Sequence, residues 1–473
     1  MPTIFGPAAR DQQNPAANPA RLVNLFREPV VAGGITSYIL RSAQGMSEYI
    51  PSQQLFARDM IDMDGTLYAA VGNGLYRMDA SRTKVGTITS DPETFIARNR
   101  DKVTLTAGGT YYVWDGSTLS THTGAITSFG SVTYLAGRTI SSELDGNKFQ
   151  WSDIDDPKTL PGLNFASAEQ RDDKLLRVLA VNGVLMCFGE RSTEVWAATG
   201  LGGADAFQLL PGAVLDTGIK ARGLVCAING GSFLIGSDGV AYIASGTQWE
   251  AVSPPAVNSA IEYSSPQRCL YWEHGGHKFA AITFDGRPAW VFDLATKEWF
   301  ERTNGDDWPI YCACGFGNDY LFGGDDGAIY EPVEDGTDFA APMIRQATSG
   351  MVYNSGAYVT INELEFNASY GAQIMSQAAQ LQLEISRDGV RWGAPRMVDV
   401  GYEGDYLKRA IFRRLGTYRK WAFRLTLSDP CDFAIYADAN VAWVSVFRPL
   451  SGILTRVGNR RLRGNSFWRR LRG

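Results

Sequence analysis

One pattern recurs from about residue 65 to about residue 335: a strand-like segment, a glycine-centred turn and a second strand-like segment. The clear copies are LYAAVGNGLYRMD at 67–79, VTLTAGGTYYVWD at 103–115, VLAVNGVLMCFG at 178–189, SFLIGSDGVAYIAS at 232–245, FAAITFDGRPAWVFD at 279–293 and YLFGGDDGAIYEP at 320–332. Asn-Gly, Asp-Gly and Gly-Gly pairs tolerate positive φ and favour tight hairpins. The pattern therefore predicts a series of antiparallel hairpins.

The spacing of the copies narrows the architecture. Most copies recur at roughly 35–55 residues, which is near the period of a four-stranded propeller blade. Radial repetition of such blades leaves only short strand edges exposed. Aromatic residues make up 12% of the chain and charged residues only 20%, which suits short, well-packed strands. We predict an all-β chain with a β-propeller of six or seven blades; a wider gap before the third copy leaves the count open. A string of β-sandwiches is the alternative.

The repeats also divide the chain. We expect an extended N-terminal arm and first strand at 1–60, the propeller at 61–339 and a small C-terminal antiparallel β-domain at 340–447. The arm contains two Asn-Pro steps that disfavour helix, and residues 21–29 alternate apolar and polar as a strand does. An extended basic tail at 448–473 carries eight arginines and no acidic residue.

Charge is distributed unevenly along the chain. The net charge is −6, and removing the eight tail arginines leaves −14 (−6 minus 8). A basic tail on an acidic body indicates a docking arm or a phosphate contact, and the alternative is a solvated end. We take arginines of the basic run 408–424 and the aromatic and basic residues of the tail as candidate assembly contacts. They are Arg413, Arg414, Phe467, Trp468, Arg469, Arg470 and Arg472.

The chain offers no recognisable catalytic, metal or cofactor motif. It has only three histidines, and none stands in metal-ligand spacing with a cysteine pair, so we predict six free and mostly buried thiols and no cofactor. Adjacent acidic pairs read as turns. Asp307 beside Trp308, and Asp388 in an imperfect Asp-box-like hairpin, keep one alternative open: a glycan-binding or glycan-hydrolysing propeller. We also expect no signal peptide and no membrane-spanning segment, because no apolar run approaches about 20 residues.

Three segments carry a family resemblance, in the order in which the family has them. In 149–196 the matching pieces are Trp151-Ser152 before Asp156-Pro157, the string NFASAE at 164–169, Asp172, and FGE at 188–190 leading to TEVW at 193–196. The others are 21–29, and 381–430 with SRDG at 386–389, Trp392, RRLG at 413–416, Trp421, Phe423-Arg424 and SDP at 428–430. This chain resembles the tail-hub proteins of short-tailed bacteriophages, also called nozzle or packaged-DNA stabilisation proteins.

The resemblance implies a non-enzymatic virion component that is assembled in the host cytoplasm. Members of that family form a hexameric ring around a central channel, beneath the portal and its adaptor ring. The ring helps to retain the packaged genome, and DNA passes through it without sequence-specific binding. It also contacts tail fibres or spikes and the distal needle or plug. These are the function, the partners and the location that we expect for this chain.

Overall fold

The computed structural model describes residues 18–30, 38–53, 55–79, 82–353, 357–370, 378–401, 409–431 and 433–446. Strands dominate this part of the chain, and none of its helices has the length and apolarity needed to cross a bilayer. Four strands precede the first blade: β1 (Arg21–Val23), β2 (Leu25–Pro29), β3 (Tyr38–Ser42) and β4 (Gly45–Ile50).

The single strand predicted over 21–29 is divided at Asn24. This residue has a φ of 53°, in the left-handed region that asparagine tolerates better than most residues. The side-chain nitrogen Nδ2 of Asn24 donates to the carbonyl oxygens of Thr303 and Ile344, both at 2.8 Å. The chain therefore turns at Asn24, and β1 and β2 enter different sheets.

The propeller has seven four-stranded blades. Blade 1 consists of β5 (Ala57–Met63), β6 (Thr66–Val71), β7 (Gly74–Arg77) and β8 (Thr83–Thr87). Blade 2 consists of β9 (Phe95–Asn99), β10 (Lys102–Ala107), β11 (Thr110–Trp114) and β12 (Leu119–Thr121). Blade 3 consists of β13 (Phe129–Leu135), β14 (Arg138–Glu143), β15 (Lys148–Trp151) and β16 (Phe165–Ser167). Blade 4 consists of β17 (Leu175–Val181), β18 (Val184–Gly189), β19 (Thr193–Ala198) and, after a 3₁₀ turn at Gly203–Ala206, β20 (Phe207–Leu215). Blade 5 consists of β21 (Val225–Ile228), β22 (Gly231–Ile235), β23 (Ala241–Ser245) and β24 (Gln248–Ala251).

Helix α1 (Pro255–Tyr263) precedes the last two blades. Blade 6 is β25 (Pro266–His274), β26 (His277–Phe284), β27 (Arg287–Asp293) and β28 (Glu298–Arg302), and blade 7 is β29 (Ile310–Phe316), β30 (Asp319–Gly324), β31 (Ile329–Val333) and the N-terminal β4. The first strand of each blade is innermost, and β29 packs against β5, which closes the ring. This arrangement fixes the blade count within the predicted range and excludes the string of sandwiches.

The strand from the N-terminal region completes the last blade. β4 pairs antiparallel with β31, with Gly45 opposite Val333 and Met46 opposite Pro332. The backbone of Thr337 passes so close that a Cβ at Gly45 would overlap its carbonyl oxygen. Residues 45–50, which we expected in an arm, thus hold the propeller ring closed.

The wide gap before the third repeat contains blade 3. Its central hairpin turns at Ala136-Gly137, where Ala136 has a φ of 52°, and its strands carry serine and threonine at buried positions. An Ala-Gly turn is not among the Asn-Gly, Asp-Gly and Gly-Gly turns of the other copies, and most of those copies have more apolar strands. The repeat pattern therefore missed this blade.

The described part of the C-terminal region adds ten strands: β32 (Thr337–Asp338), β33 (Ala341–Pro342), β34 (Arg345–Thr348), β35 (Val352–Tyr353), β36 (Tyr358–Tyr370), β37 (Gln380–Ser386), β38 (Arg396–Asp399), β39 (Ala410–Tyr418), β40 (Lys420–Leu427) and β41 (Phe433–Val446). One sheet has the order β2-β3-β41-β36-β39, and the other runs β1-β34-β40-β37-β38. Apolar side chains of both sheets, including Leu40, Phe412 and Leu425, belong to one buried core. The two sheets therefore form a β-sandwich.

The sandwich is continuous with the propeller. β1 pairs in parallel with β28 of blade 6 and antiparallel with β34, so one sheet runs from blade 6 into the sandwich. The same apolar core joins Trp272 of blade 6 and Phe322 of blade 7 to Phe26 and Trp421 of the sandwich. β1, β2 and β3, which we expected in an arm and a first strand, are thus paired strands of the two sandwich sheets.

Candidate assembly interface

Segment 149–196, which we call the signature segment, contains a buried tryptophan at the end of blade 3. Trp151 is only 1% exposed, and its indole nitrogen donates to the carbonyl oxygen of Gly203 at 3.0 Å. Its ring contacts Phe149 and Phe207, with centroids 5.9 and 5.2 Å away. Trp151 therefore joins blade 3 to the loop that precedes the last strand of blade 4.

The next signature residues fix the loop after Trp151. The hydroxyl of Ser152 accepts from the backbone N–H of Thr139 at 3.0 Å, and its carbonyl oxygen accepts from the Arg138 guanidinium at 2.7 Å. Farther along, the carbonyl oxygen of Pro157 accepts from the Tyr111 hydroxyl of blade 2 at 2.9 Å. The string that had no chemical rationale in the sequence therefore ties neighbouring blades together.

The end of the signature segment has two carboxylates that bind backbone N–H groups. Asp173 accepts from the N–H groups of Arg191 and Ser192, at 2.8 and 2.9 Å. Glu194 accepts from the N–H of Gln170 and from the indole of Trp196, both at 2.9 Å. Both carboxylates hold loops of blade 4, which is a structural role.

Glu194 also makes stability depend on pH. It is 2% exposed, and burial raises its pKa above the ordinary value of about 4.3. Because the folded pKa is the higher one, its contribution is complete below about pH 4.3 and is lost as pH rises through the folded pKa. We expect the stability of the native chain relative to Glu194→Gln to fall between pH 4 and pH 7. Urea unfolding of both proteins at the two pH values measures this difference; a constant difference would contradict it.

Asp307 and Asp388, the two carboxylates on which the predicted alternative of a glycan site rested, lie in surroundings that do not suit a glycan. Trp308, beside Asp307, is 2% exposed and has no face for a sugar ring. Asp388 accepts from the N–H groups of Val390 and Arg391, at 2.9 and 2.8 Å, and these bonds lower its pKa. It lies in the sandwich rather than in a blade. The turn interpretation is thus confirmed at Asp388.

The remaining chemical groups follow the same pattern. Asp326 accepts from the N–H of Ala328 and from the Tyr330 hydroxyl, both at 3.0 Å, as expected of a turn. No disulfide joins any two of the six cysteines, all of which lie in the described residues, and burial raises the pKa of Cys226 and Cys314 to about 12. Within the described ranges, no group of histidine, cysteine and acidic side chains could hold a metal ion.

Arg413 and Arg414 lie on β39, an edge strand of the sandwich. The Arg413 side chain is 65% exposed, and its Nε donates to Glu363 at 3.2 Å. Arg414 has a φ of 56° beside a β-bulge, and it is also exposed. Both arginines are therefore accessible to a partner. The other candidate contacts, Phe467, Trp468, Arg469, Arg470 and Arg472, lie outside the described residues.

Three exposed aliphatic side chains on loops of blades 3 and 4 were not predicted from the sequence. Ile154, Leu163 and Leu201 are 60, 77 and 61% exposed, and the first two lie inside the signature segment. Exposed aliphatic side chains in loops that are otherwise fixed by hydrogen bonds are candidates for protein contacts. Their neighbours in the sequence, proline, glycine and aspartate, indicated only a turn.

A buried polar node between propeller and sandwich was also not predicted from the sequence. Arg302 pairs with both oxygens of Asp338 at 3.0 Å, and the two side chains are 2 and 0% exposed. Arg302 also donates to Asn24 Oδ1 at 2.9 Å, and Asp338 accepts from the N–H of Met46 at 3.0 Å. The node links blade 6, the closing strand β4, the turn at Asn24 and the segment after blade 7.

The closed propeller shares a sheet and an apolar core with the sandwich, and the signature residues hold its blades and loops together. These features define a rigid β scaffold. The family described as bacteriophage P22 Gp10, β-propeller, matches residues 2–320, and the one described as bacteriophage P22 Gp10, β-sandwich, matches residues 344–442. The chain belongs to this family of short-tailed-phage tail proteins, and it is a structural component of the virion. The predicted family and fold class are thereby confirmed.

The chain was also compared with curated proteins and with solved structures. No curated protein matches the chain. The designed protein Ika8 is 13% identical over 66% of this chain and 99% of its own, with a TM-score of 0.40. PorZ of Porphyromonas gingivalis is 13% identical over 75% and 46%, with a TM-score of 0.39. The Cps50 (Swd1) propeller domain of Myceliophteria thermophila is 8% identical over 60% and 99%, with a TM-score of 0.41.

Proposed function

We propose that this chain forms the tail hub, or nozzle, below the portal and adaptor of a short-tailed phage. Six copies surround the DNA channel, help to retain the packaged genome, and carry fibres or spikes and the distal needle. The observation that carries the proposal is that propeller and sandwich both match one tail-protein family, in order along the chain.

The interlocked fold supports a role in a wall that must not open. β4 closes the propeller, and β1 lies between blade 6 and the sandwich sheet, so neither part separates without breaking strand pairs of the other. Unpairing buried strands exposes backbone groups as well as apolar surface, which is costly. A subunit of this kind transmits force between its two parts without yielding at a flexible linker.

Net charge supports a channel that lets DNA pass. Without the eight tail arginines the chain carries −14 (−6 minus 8), so its body repels a polyanion on average. A wall that bound phosphates tightly would hold the genome during ejection as well as before it. Retention is then the task of a closed assembly rather than of DNA affinity.

Particles that lack this chain test the proposed function. We expect heads to package DNA and then lose it, with no fibres or needle attached, and we expect the native gene supplied in trans to restore both. Nuclease-sensitive DNA and electron micrographs of purified particles report the outcome. Particles that keep their genome and lose only host attachment would show that the chain is a receptor-binding component instead.

We expect no hydrolase activity from the purified chain. Asp388 is bound to its own turn, and Asp307 stands beside a buried tryptophan. Sialosides, capsular polysaccharide and peptidoglycan are the substrates to assay. Turnover that disappears in Asp307→Asn or Asp388→Asn would overturn the non-enzymatic assignment.

The arginine-rich tail and Arg413 and Arg414 should act in assembly. Arginine pairs well with carboxylates across interfaces, and tryptophan and arginine often dominate interface energy. Deleting residues 451–473, or reversing both charges in Arg413→Glu/Arg414→Glu, should leave thermal unfolding nearly unchanged and weaken ring formation. High salt should reproduce part of the loss, because exposed pairs are screened.

Arg171→Glu is the matched control for the charge reversals, since Arg171 is similarly exposed at 56% and pairs with Asp216 on the propeller. Reconstitution of tails from purified components measures assembly, and circular dichroism measures the fold. If the truncated chain assembles as well as the full one, the tail is only a solvated end.

A further inference from the structure

The axis of the propeller contains a cavity of about 290 Å³. The innermost strands of six blades line it, together with a tyrosine of β30. The lining includes Asp59, Arg177, Cys226, Arg268, Cys312 and Tyr320. Two of these side chains are guanidinium groups, and one is a carboxylate.

The two guanidinium groups share one aromatic ring. The guanidinium carbons of Arg177 and Arg268 lie 4.2 and 4.8 Å from the centroid of Phe95. Arg268 is 4% exposed, and its Nη2 donates to the carbonyl oxygens of Arg58 and Thr94, at 3.3 and 3.0 Å. These contacts fix both cations at the wall of the cavity.

Asp59 supplies less counter-charge than the two cations require. Its oxygens accept from the N–H groups of Met60 and Ile96, at 3.0 and 2.9 Å, and one lies 3.5 Å from Arg268. Burial lowers the pKa of Arg177 to about 10, which still leaves it charged at neutral pH. Burial raises the pKa of the Cys226 thiol to about 12, so this thiol remains neutral.

Two guanidinium N–H groups of the arginines that line the cavity have no protein acceptor among the described residues. They are Arg177 Nε and Arg268 Nη1. A buried cation without a paired anion is strongly unfavourable, and a buried N–H group normally has an acceptor. Two cations beside one carboxylate leave an excess of positive charge at the cavity, which an anion would neutralise.

We propose that the axial cavity binds a small oxyanion of the phosphate or sulfate class, between Arg177 and Arg268. Planar guanidinium groups match the oxygen spacing of such anions. A water molecule takes up about 30 Å³ of liquid, so the cavity has room for a tetrahedral oxyanion and a few waters. The bound anion is a counter-ion for these arginines inside the propeller. This proposal does not depend on the proposed tail function.

Thermal unfolding of the full chain in rising inorganic phosphate tests the proposal, with sodium chloride added to hold ionic strength constant. A bound ligand raises the unfolding midpoint along a binding curve, whereas excluded salts act without that concentration dependence. Arg177→Gln should weaken the apparent phosphate affinity about tenfold or more, since it removes a charged hydrogen-bond donor. Arg171→Gln, at an exposed ion pair, should leave the response unchanged.

Selenate locates the site without any substitution, because its selenium can be found by anomalous scattering in crystals of the native chain. The proposal predicts a peak within hydrogen-bond reach of Arg177 and Arg268. Equal phosphate responses in the native chain and both variants would overturn the proposal, as would a selenate peak only elsewhere. Should Arg177→Gln fail to fold, the selenate position decides alone.

Discussion

Asp338→Ala is expected to lower the free energy of unfolding by about 3–5 kcal/mol, the usual cost of leaving one member of a buried ion pair without its partner. Arg302 would keep its charge in a site where it is 2% exposed, and the N–H of Met46 on the closing strand would lose its acceptor. Because the node joins both parts of the molecule, the propeller and the sandwich should unfold at lower denaturant together. Urea titration followed by tryptophan fluorescence measures the change.

Two variants sharpen this result. Asp216→Ala breaks an exposed pair with Arg171 and should cost at most about 1 kcal/mol. The double variant Arg302→Met/Asp338→Leu replaces both charges by apolar side chains, and it should be less destabilised than Asp338→Ala. If Asp338→Ala behaved like Asp216→Ala, the node would have no part in joining propeller to sandwich.

Trp151→Ala is expected to cost about 3–5 kcal/mol, as large-to-small substitutions of buried aromatic residues do. The change removes contacts with Phe149 and Phe207 and leaves the carbonyl oxygen of Gly203 without its donor. Trp151→Phe should cost less, since it keeps a ring and loses only the hydrogen bond and some area.

Leu163→Ala provides the comparison within the same signature segment. Leu163 is 77% exposed, so its truncation should leave stability almost unchanged. Chemical denaturation of the three variants side by side gives the ranking. Equal stabilities of Trp151→Ala and Leu163→Ala would contradict the structural reading of the signature.

Local signals made much of the propeller predictable. Asn182 and Gly183 have φ values of 51° and 79°, as the hairpin between β17 and β18 requires, and an Asn-Gly pair predicts such a turn from the sequence. Blade 3 was not predicted because its hairpin turns at Ala136-Gly137, without the asparagine, aspartate or glycine that precedes the turn glycine in the other copies. The ring closure escaped for another reason: β4 and β31 are separated by some 280 residues, and no local pattern encodes that pairing.

The candidate sites differed in the same way. The exposure of Arg413 and Arg414 agrees with their charge and strand position, which sequence shows. By contrast, Arg302, Asn24 and Asp338 are unremarkable one by one, and only long-range strand pairing brings them together. The signature string was recognisable before its hydrogen bonds were known, because resemblance records which residues matter without giving the physical cause.

A cryo-electron microscopy reconstruction of the intact virion tail tests the central claim most directly. The account predicts six copies of this chain in one closed ring around the DNA path, between the adaptor and the needle, with Arg413 and Arg414 at contacts between subunits or with the adaptor. A copy number unrelated to six, or a location on the fibres away from the DNA path, would contradict it.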